Sequence, residues 1–120
     1  MEVMMMLVYD QPGVMQRVMG EFNRKRINVE TIVVGKCEVP ERARIVLSIE
    51  DKEKALSVIE HLRALQEVIE CDLVDQARHE AYALLQAKEG VCRVTGSVEE
   101  VDAIIKKSQP EKFIQAMNAI

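Results

Sequence analysis

The sequence predicts an α+β fold: a ferredoxin-like sheet with two helices on one face, followed by a smaller α+β unit. Strand and helix patterns alternate in the order βαββαβ over residues 2–74, which is the order of that fold. A hydrophobic content of 48% in 120 residues suffices for one moderate core or two small ones. We therefore expect a first unit over residues 1–76 and a shortened second α+β unit over residues 77–120.

The elements of the first unit follow from apolar residues that recur every second residue in strands and every third or fourth residue in helices. In chain order we predict strand Glu2–Tyr9, helix Val14–Arg26, strand Asn28–Glu38, strand Arg42–Ile49, helix Asp51–Ala64 and strand Gln66–Val74. Asp51 is expected to cap the second helix, because a carboxylate there accepts hydrogen bonds from free backbone N–H groups.

The second strand is expected at an edge, because right-handed crossovers give the spatial strand order 4-1-3-2. The stretch Val29–Gly35 contains neither proline nor lysine, and such an unprotected apolar edge favours pairing with another chain. We predict a homodimer through this edge, which would also help to cover the helix-free face of the sheet. The alternative is that the C-terminal third of the same chain covers that face.

The second unit begins with a segment of ambiguous pattern. Residues 77–88 have the composition of a helix, although their apolar residues would also suit a strand. Beyond them we predict a strand over Val91–Thr95, a helix that opens with the capping box Ser97–Glu100 and runs to Ser108, and a strand or helix over Phe113–Ile120.

The turn Asp10-Gln-Pro-Gly-Val14, between the first strand and the first helix, could hold a free amino acid. A strand that turns sharply into a helix leaves backbone N–H groups at the helix start, where they can bind a carboxylate. Gly13 would let a ligand approach the backbone closely. Asp10 could accept a hydrogen bond from an ammonium group, or it could cap the helix. An ordinary turn has the same features, so both interpretations stay open at this point.

Charge and composition argue against several function classes. A net charge of −4, the absence of tryptophan and a basic cluster limited to Arg24–Arg26 disfavour nucleic-acid binding. The apolar run Val3–Tyr9 is too short to span a membrane, and the N-terminus lacks a signal-peptide pattern. We expect a cytoplasmic protein with reduced, mostly buried cysteines at positions 37, 71 and 92.

No pattern of catalytic or metal-binding residues is found. His61 and His79 have no partner at metal-ligand spacing, and both are expected at the surface. The sequence contains no nucleophile–base set, phosphate-binding loop or paired-carboxylate site. We therefore predict a protein that is not an enzyme and holds neither a metal nor a cofactor.

Two segments resemble the ACT domain, a small amino-acid-sensing module, and most closely the regulatory (small) subunit of acetolactate synthase, or acetohydroxyacid synthase. Residues 10–18, Asp-Gln-Pro-Gly-Val-Met-Gln-Arg-Val, are similar to the family's turn Asn-x-x-Gly-Ala-Leu-x-Arg-Val. Residues 27–32, Ile-Asn-Val-Glu-Thr-Ile, are similar to its Tyr-Asn-Ile-Glu-Ser-Leu stretch. Residues 79–84 and 94–105 are similar to parts of its second domain, which favours a strand at the ambiguous segment.

The resemblance implies a non-catalytic partner of a thiamine-diphosphate-dependent catalytic subunit, controlled by a branched-chain amino acid such as valine. The effector would contact Asp10, Gly13 and the N–H groups of Val14 and Met15, and Asn28 would reach it across a dimer seam. Asn28 could instead be an ordinary residue at a strand entry. Val14, Ile32 and Val33 could line a pocket for a small apolar side chain, or belong to the core.

Two departures from the family keep other functions open. The family has a helix and a strand that this second unit lacks, and Asp10 replaces the family's effector-binding asparagine. A free-standing ACT sensor, which controls another enzyme or a transcription factor, is therefore a second hypothesis. A dimerisation module that has lost its ligand is a third.

Overall fold

The computed structural model describes all 120 residues. Its elements are, in chain order, β1 (Glu2–Tyr9), α1 (Val14–Arg24), β2 (Thr31–Lys36), β3 (Arg42–Ile49), α2 (Lys52–Arg63), β4 (Val68–Leu73), a 3₁₀ turn (Gln76–Arg78), β5 (His79–Ala87), β6 (Gly90–Gly96), α3 (Val98–Ser108) and β7 (Lys112–Ala119). This order confirms the predicted α+β fold. None of the helices has the length and apolar character needed to cross a membrane.

Three elements are clearly shorter than the sequence predicted, among them β4, which covers Val68–Leu73 instead of Gln66–Val74. The first helix ends at Arg24, and Arg26 adopts left-handed backbone with φ 55°, which a continuing helix does not allow. The second strand covers only Thr31–Lys36, because only these residues pair with β3. Asn28 therefore lies in the connection that leads into the strand.

The first sheet has the strand order β2-β3-β1-β4, as predicted. Met4 and Met6 of β1 are fully buried on the face that carries α1 and α2, where they share one apolar cluster with both helices. Asp51 caps α2 as expected, since its Oδ1 accepts hydrogen bonds from the N–H groups of Glu53 (2.9 Å) and Lys54 (3.3 Å).

Residues 79–87 form β5, the central strand of a second sheet with the order β6-β5-β7. The helical alternative for this segment is wrong, because β6 and β7 pair with it on both sides and Ala81 and Leu85 are buried on one face. The capping box at α3 is confirmed. Ser97 Oγ accepts the N–H of Glu100 at 3.1 Å, and the Glu100 carboxylate accepts the N–H of Ser97 at 3.4 Å.

The C-terminal part of the chain covers some of the sheet face that lies opposite α1 and α2. Val3 of β1 and Val46 of β3 are buried in one cluster with Ala81 of β5 and Met117 of β7. The sequence left open whether this face is covered by the same chain or by a second copy. Because the same chain covers part of it, the need for cover gives no support to a homodimer. The free edge of β2 is a separate feature, and pairing there stays a prediction.

The second sheet repeats the topology of the first with one helix and one strand missing. Strands β5, β6 and β7 take the places of β1, β3 and β4, with the same spatial order and antiparallel pairing. The short turn at residues 88–89 stands where the first unit has α1 and β2. The division into domains at residue 76 stays a prediction.

Candidate functional site

The turn between β1 and α1 is open to solvent. Asp10, Gln11, Pro12 and Gly13 are all exposed, whereas Val14, the first residue of α1, is buried. Gly13 has φ 90°, a conformation that residues with a Cβ rarely adopt. The backbone conformation of the turn is therefore sufficient to explain the glycine, because the chain must reverse here to begin the helix.

The N-terminus of α1 has no side-chain cap and no acidic residue in its first turn. The N–H of Val14 donates to the Gln11 carbonyl oxygen at 3.3 Å, so this expected donor is already engaged. The N–H groups of Gly13, Met15 and Gln16 form no hydrogen bond. Gln16 was missed at the level of sequence, because nothing in its side chain distinguishes it from any residue in a first helical turn.

Asp10 does not cap α1, so the alternative interpretation of its carboxylate is not seen in this structure. The backbone of the turn is instead held by neighbouring segments. The N–H of Asp10 donates to the Glu41 carbonyl oxygen at 3.2 Å, and the N–H of Tyr9 donates to that of Glu67 at 3.0 Å. The Arg42 guanidinium lies 4.1 Å from the centre of the Tyr9 ring. The exposed carboxylate of Asp10 thus projects from a fixed backbone.

The connection between β2 and β3, on which the turn rests, is fixed by an ion pair. Arg44 donates two hydrogen bonds to the Glu38 carboxylate, at 2.7 and 3.0 Å. The hydrogen bonds from Arg44 lower the pKa of Glu38 to about 2, and the carboxylate in turn raises the pKa of the Arg44 guanidinium. This pair joins the start of the connection to β3.

Asn28 lies at the opposite end of the sheet from the turn. Thr31, three residues after it, is level with Ser48 and hence with Val3, near the start of β1, whereas the turn follows Tyr9. Six residues of strand separate these levels, which corresponds to about 20 Å. A single chain therefore does not bring Asn28 and the turn together. The Asn28 amide is exposed and donates to the Glu30 carboxylate at 2.9 Å.

The residues suggested for an apolar pocket do not share one surface. Val14 belongs to the buried core. Ile32 and Val33 are neighbours on a strand, so their side chains point to opposite faces of the sheet. Ile32 and Val34, which share a face, are 38% and 48% exposed along the free edge of β2.

The cysteines form no disulfide bond, and the cysteines and histidines form no metal site. All three cysteines are free thiols, but only Cys71 is buried. Cys37 is half-buried and Cys92 is exposed, so the expectation of mostly buried cysteines is wrong. Burial raises the pKa of Cys71 to about 12. No group of three or more His, Cys, Asp or Glu side chains is placed to hold a metal ion.

Comparison with known proteins gives one family and several relatives. The pattern of the family described as the AHAS small subunit-like ACT domain matches residues 4–70. A probable acetolactate synthase small subunit of Methanothermobacter thermautotrophicus is 41% identical over 64 residues, which are 52% of this chain and 38% of that protein. One of Archaeoglobus fulgidus is 33% identical over 72 residues, which are 59% of this chain and 45% of that protein. The chain thus spans less than half the length of these curated relatives.

Two solved structures have a similar fold. The crystal structure of the acetolactate synthase small subunit of Thermotoga maritima matches with a TM-score of 0.78 and 24% identity, over 99% of this chain and 95% of that one. The ligand-free regulatory subunit of aspartate kinase from Thermus thermophilus matches with a TM-score of 0.55 and 22% identity, over 88% and 66%. At these identities the likeness concerns the fold.

Proposed function

Because the chain belongs to the family of AHAS small subunit-like ACT domains, we propose that it is a regulatory subunit of acetolactate synthase that senses an amino acid. The observation that carries the proposal is the exposed turn at Asp10–Gly13 in front of an uncapped α1. This turn lies inside the part of the chain that the family pattern matches.

The turn offers complementary groups for the two charges of an amino acid. The free N–H groups of Gly13 and Met15 are donors for the carboxylate, and the positive end of the α1 dipole favours an anion at this place. The exposed Asp10 carboxylate is an acceptor for the ammonium group. A zwitterion is therefore the ligand class that this turn suits best.

A second copy of the chain would complete the site. The edge of β2 is unpaired, and residues 31–36 would pair antiparallel with the same residues of a partner around a two-fold axis. Under that symmetry the end of β2 that begins at Thr31 meets the partner's Lys36 end, which is the end of the sheet that carries the turn. Asn28 would then act across the seam, as the resemblance implies.

Regulation would follow from linkage between the effector and the catalytic partner. If the effector favours one arrangement of the two copies and the catalytic subunit prefers another, each ligand lowers the affinity for the other by the same factor. The small subunit would raise the activity of the thiamine-diphosphate-dependent catalytic subunit, and valine or another branched-chain amino acid would reverse this effect.

Reconstitution tests the proposal directly. The chain is purified together with the acetolactate synthase catalytic subunit of the same organism, and the rate of acetolactate formation is measured with and without valine, leucine and isoleucine. We expect a complex, a higher rate than that of the catalytic subunit alone, and inhibition by one of the three. A purified pair whose rate equals that of the catalytic subunit alone would argue strongly against this function.

A second function, an amino-acid sensor for a different enzyme, is favoured by two observations. Asp10 departs from the family's asparagine, and the second sheet has no counterpart of α1 and β2. Calorimetric titration with the twenty standard amino acids separates the candidates. Serine, glycine or an aromatic amino acid as the best ligand would favour this second function, and a branched-chain amino acid would favour the first.

A further inference from the structure

Thr31, the first residue of β2, connects the two sheets through its hydroxyl group. Its Oγ1 lies 2.6 Å from Ser48 Oγ on β3 and accepts a hydrogen bond from the backbone N–H of Met117 on β7 at 3.3 Å. No other side-chain hydrogen bond joins the first sheet to the second. The two bonding partners are 86 residues apart in the chain.

Two of the groups that meet at Thr31 are buried, and Thr31 itself is half-buried. Ser48 is fully buried and Met117 is 3% exposed. A buried hydroxyl and a buried amide both need hydrogen-bond partners, because leaving either one unpaired is costly. The Met117 N–H also lies on an edge of the second sheet, so the Thr31 hydroxyl satisfies a donor that no strand of that sheet can reach.

The same stretch of backbone carries the part of the proposed effector site that acts across the seam. The N–H of Glu30 donates to the Ser48 carbonyl oxygen at 2.9 Å, and the Glu30 carboxylate holds the Asn28 amide at 2.9 Å. A continuous set of hydrogen bonds therefore runs from Asn28 through Glu30, Ser48 and Thr31 to Met117. A ligand bound by Asn28 would therefore contact one end of this set.

We propose that Thr31 is a positioning residue that couples the Asn28–Glu30 arm of the effector site to strand β7. Effector binding fixes Asn28, the start of β2 is held more tightly, and the Met117 N–H stays bonded to Thr31 for a larger share of the time. The second sheet thereby senses the effector, although it supplies no residue to the proposed site. This inference rests on the proposed function, because it requires an effector at the turn.

The experiment compares Thr31→Val, which keeps the shape but removes the hydroxyl, with Thr31→Ser, which keeps the hydroxyl. Thr95→Val is the matched control, since Thr95 is an exposed strand residue of β6 whose side chain forms no hydrogen bond. Each of the twenty standard amino acids is titrated into the intact protein by calorimetry. Hydrogen exchange of the Met117 amide is then measured by NMR, with and without a saturating amount of the best ligand.

In the native protein and in Thr31→Ser and Thr95→Val, we expect ligand to slow Met117 exchange by about five-fold, the lower end of typical coupling between sites. Thr31→Val should lose this response and bind the ligand about five-fold more weakly. A purely structural role would lower stability without removing the response to ligand. If Thr31→Val does not fold, Thr31→Ala removes the same hydroxyl without the added methyl group.

Two results would overturn the coupling alone: an unchanged Met117 response in Thr31→Val, or an equal loss in Thr31→Val, Thr31→Ser and Thr95→Val. If none of the twenty amino acids binds the native protein, the proposed sensing function fails and the coupling fails with it. The calorimetric arm thus separates failure of the site from failure of the link between the sheets.

Discussion

The three helices begin in two different ways. Asp51 caps α2 through the N–H groups of Glu53 and Lys54, and Ser97 with Glu100 closes a capping box at α3. By contrast, α1 begins at Gly13 with no side-chain cap and no acidic residue in its first turn. Side chains therefore bond some of the first N–H groups of α2 and α3, whereas in α1 the N–H groups of Met15 and Gln16 have no partner.

The difference separates local stability from binding. A side-chain cap contributes about 1 kcal/mol to folding. The start of α1 forgoes this contribution at a turn whose backbone is nonetheless fixed by the carbonyl oxygens of Glu41 and Glu67. Free donors on a fixed backbone suit an anionic ligand group, which is why the proposed effector site lies at the start of α1.

The largest effect is expected from Gly13→Asp, which places a carboxylate among the free donors of α1. The new side chain would compete with the ligand carboxylate and repel it, so we expect effector affinity to fall by about 100-fold, the upper range for charge-assisted hydrogen bonds. The left-handed conformation at φ 90° adds a stability loss of about 1 kcal/mol. Calorimetry and urea unfolding measure the two effects.

Gly20→Asp is the matched control, because it adds the same residue to the same helix where a Cβ would meet no atom within 4 Å. Its effector affinity should equal that of the native protein. Unchanged binding in Gly13→Asp would show that the free N–H groups of α1 do not bind the ligand. The third hypothesis, a dimerisation module without a ligand, would then gain support.

The paired substitutions Asp10→Ala and Asp51→Ala are expected to have opposite effects. Asp10 caps nothing, so its loss should leave the free energy of unfolding within about 0.5 kcal/mol and weaken effector binding by about ten-fold. Asp51→Ala should lower the free energy of unfolding by about 1 kcal/mol and leave binding unchanged. Urea unfolding and calorimetry on both variants measure these values. If Asp10→Ala loses stability and keeps affinity, its carboxylate has a structural role like that of Asp51.

Sequence patterns were sufficient where local signals agree with tertiary contacts. The bounds of β1 and β3 and the caps of α2 and α3 match the prediction, since alternating apolar residues and capping residues act over a few positions. The segment of β5 was ambiguous for the opposite reason. Its alanine, leucine and glutamine residues favour a helix locally, but pairing with β6 and β7 decides its structure.

The candidate site shows where sequence patterns are not sufficient. They located the turn and Asn28, but only the strand register shows that, within one copy of the chain, these lie at opposite ends of the first sheet. The engagement of the Val14 N–H depends on turn geometry, and the bond from Met117 to Thr31 joins segments 86 residues apart. Such contacts leave no periodic signal, because each depends on how separate elements pack together.

The smallest effect is expected from low pH, which acts on Glu38 in the connection between β2 and β3. This connection supports the turn before α1 and does not contact the starts of α2 and α3 through a hydrogen bond. Arg44 holds the pKa of Glu38 at about 2, below its ordinary value of 4.5. A lowered carboxyl pKa gives stability that is fully present above pH 4.5 and is lost as the pH falls towards 2. Glu38→Gln should therefore flatten the decline in unfolding free energy across this window, measured by urea unfolding at successive pH values.

Glu89→Gln, at an exposed carboxylate without an ion pair, should leave the decline as it is. Superimposable profiles for the native protein and Glu38→Gln would mean that the Arg44 pair is too exposed to stabilise the fold, and that the turn at α1 is held by its backbone bonds alone.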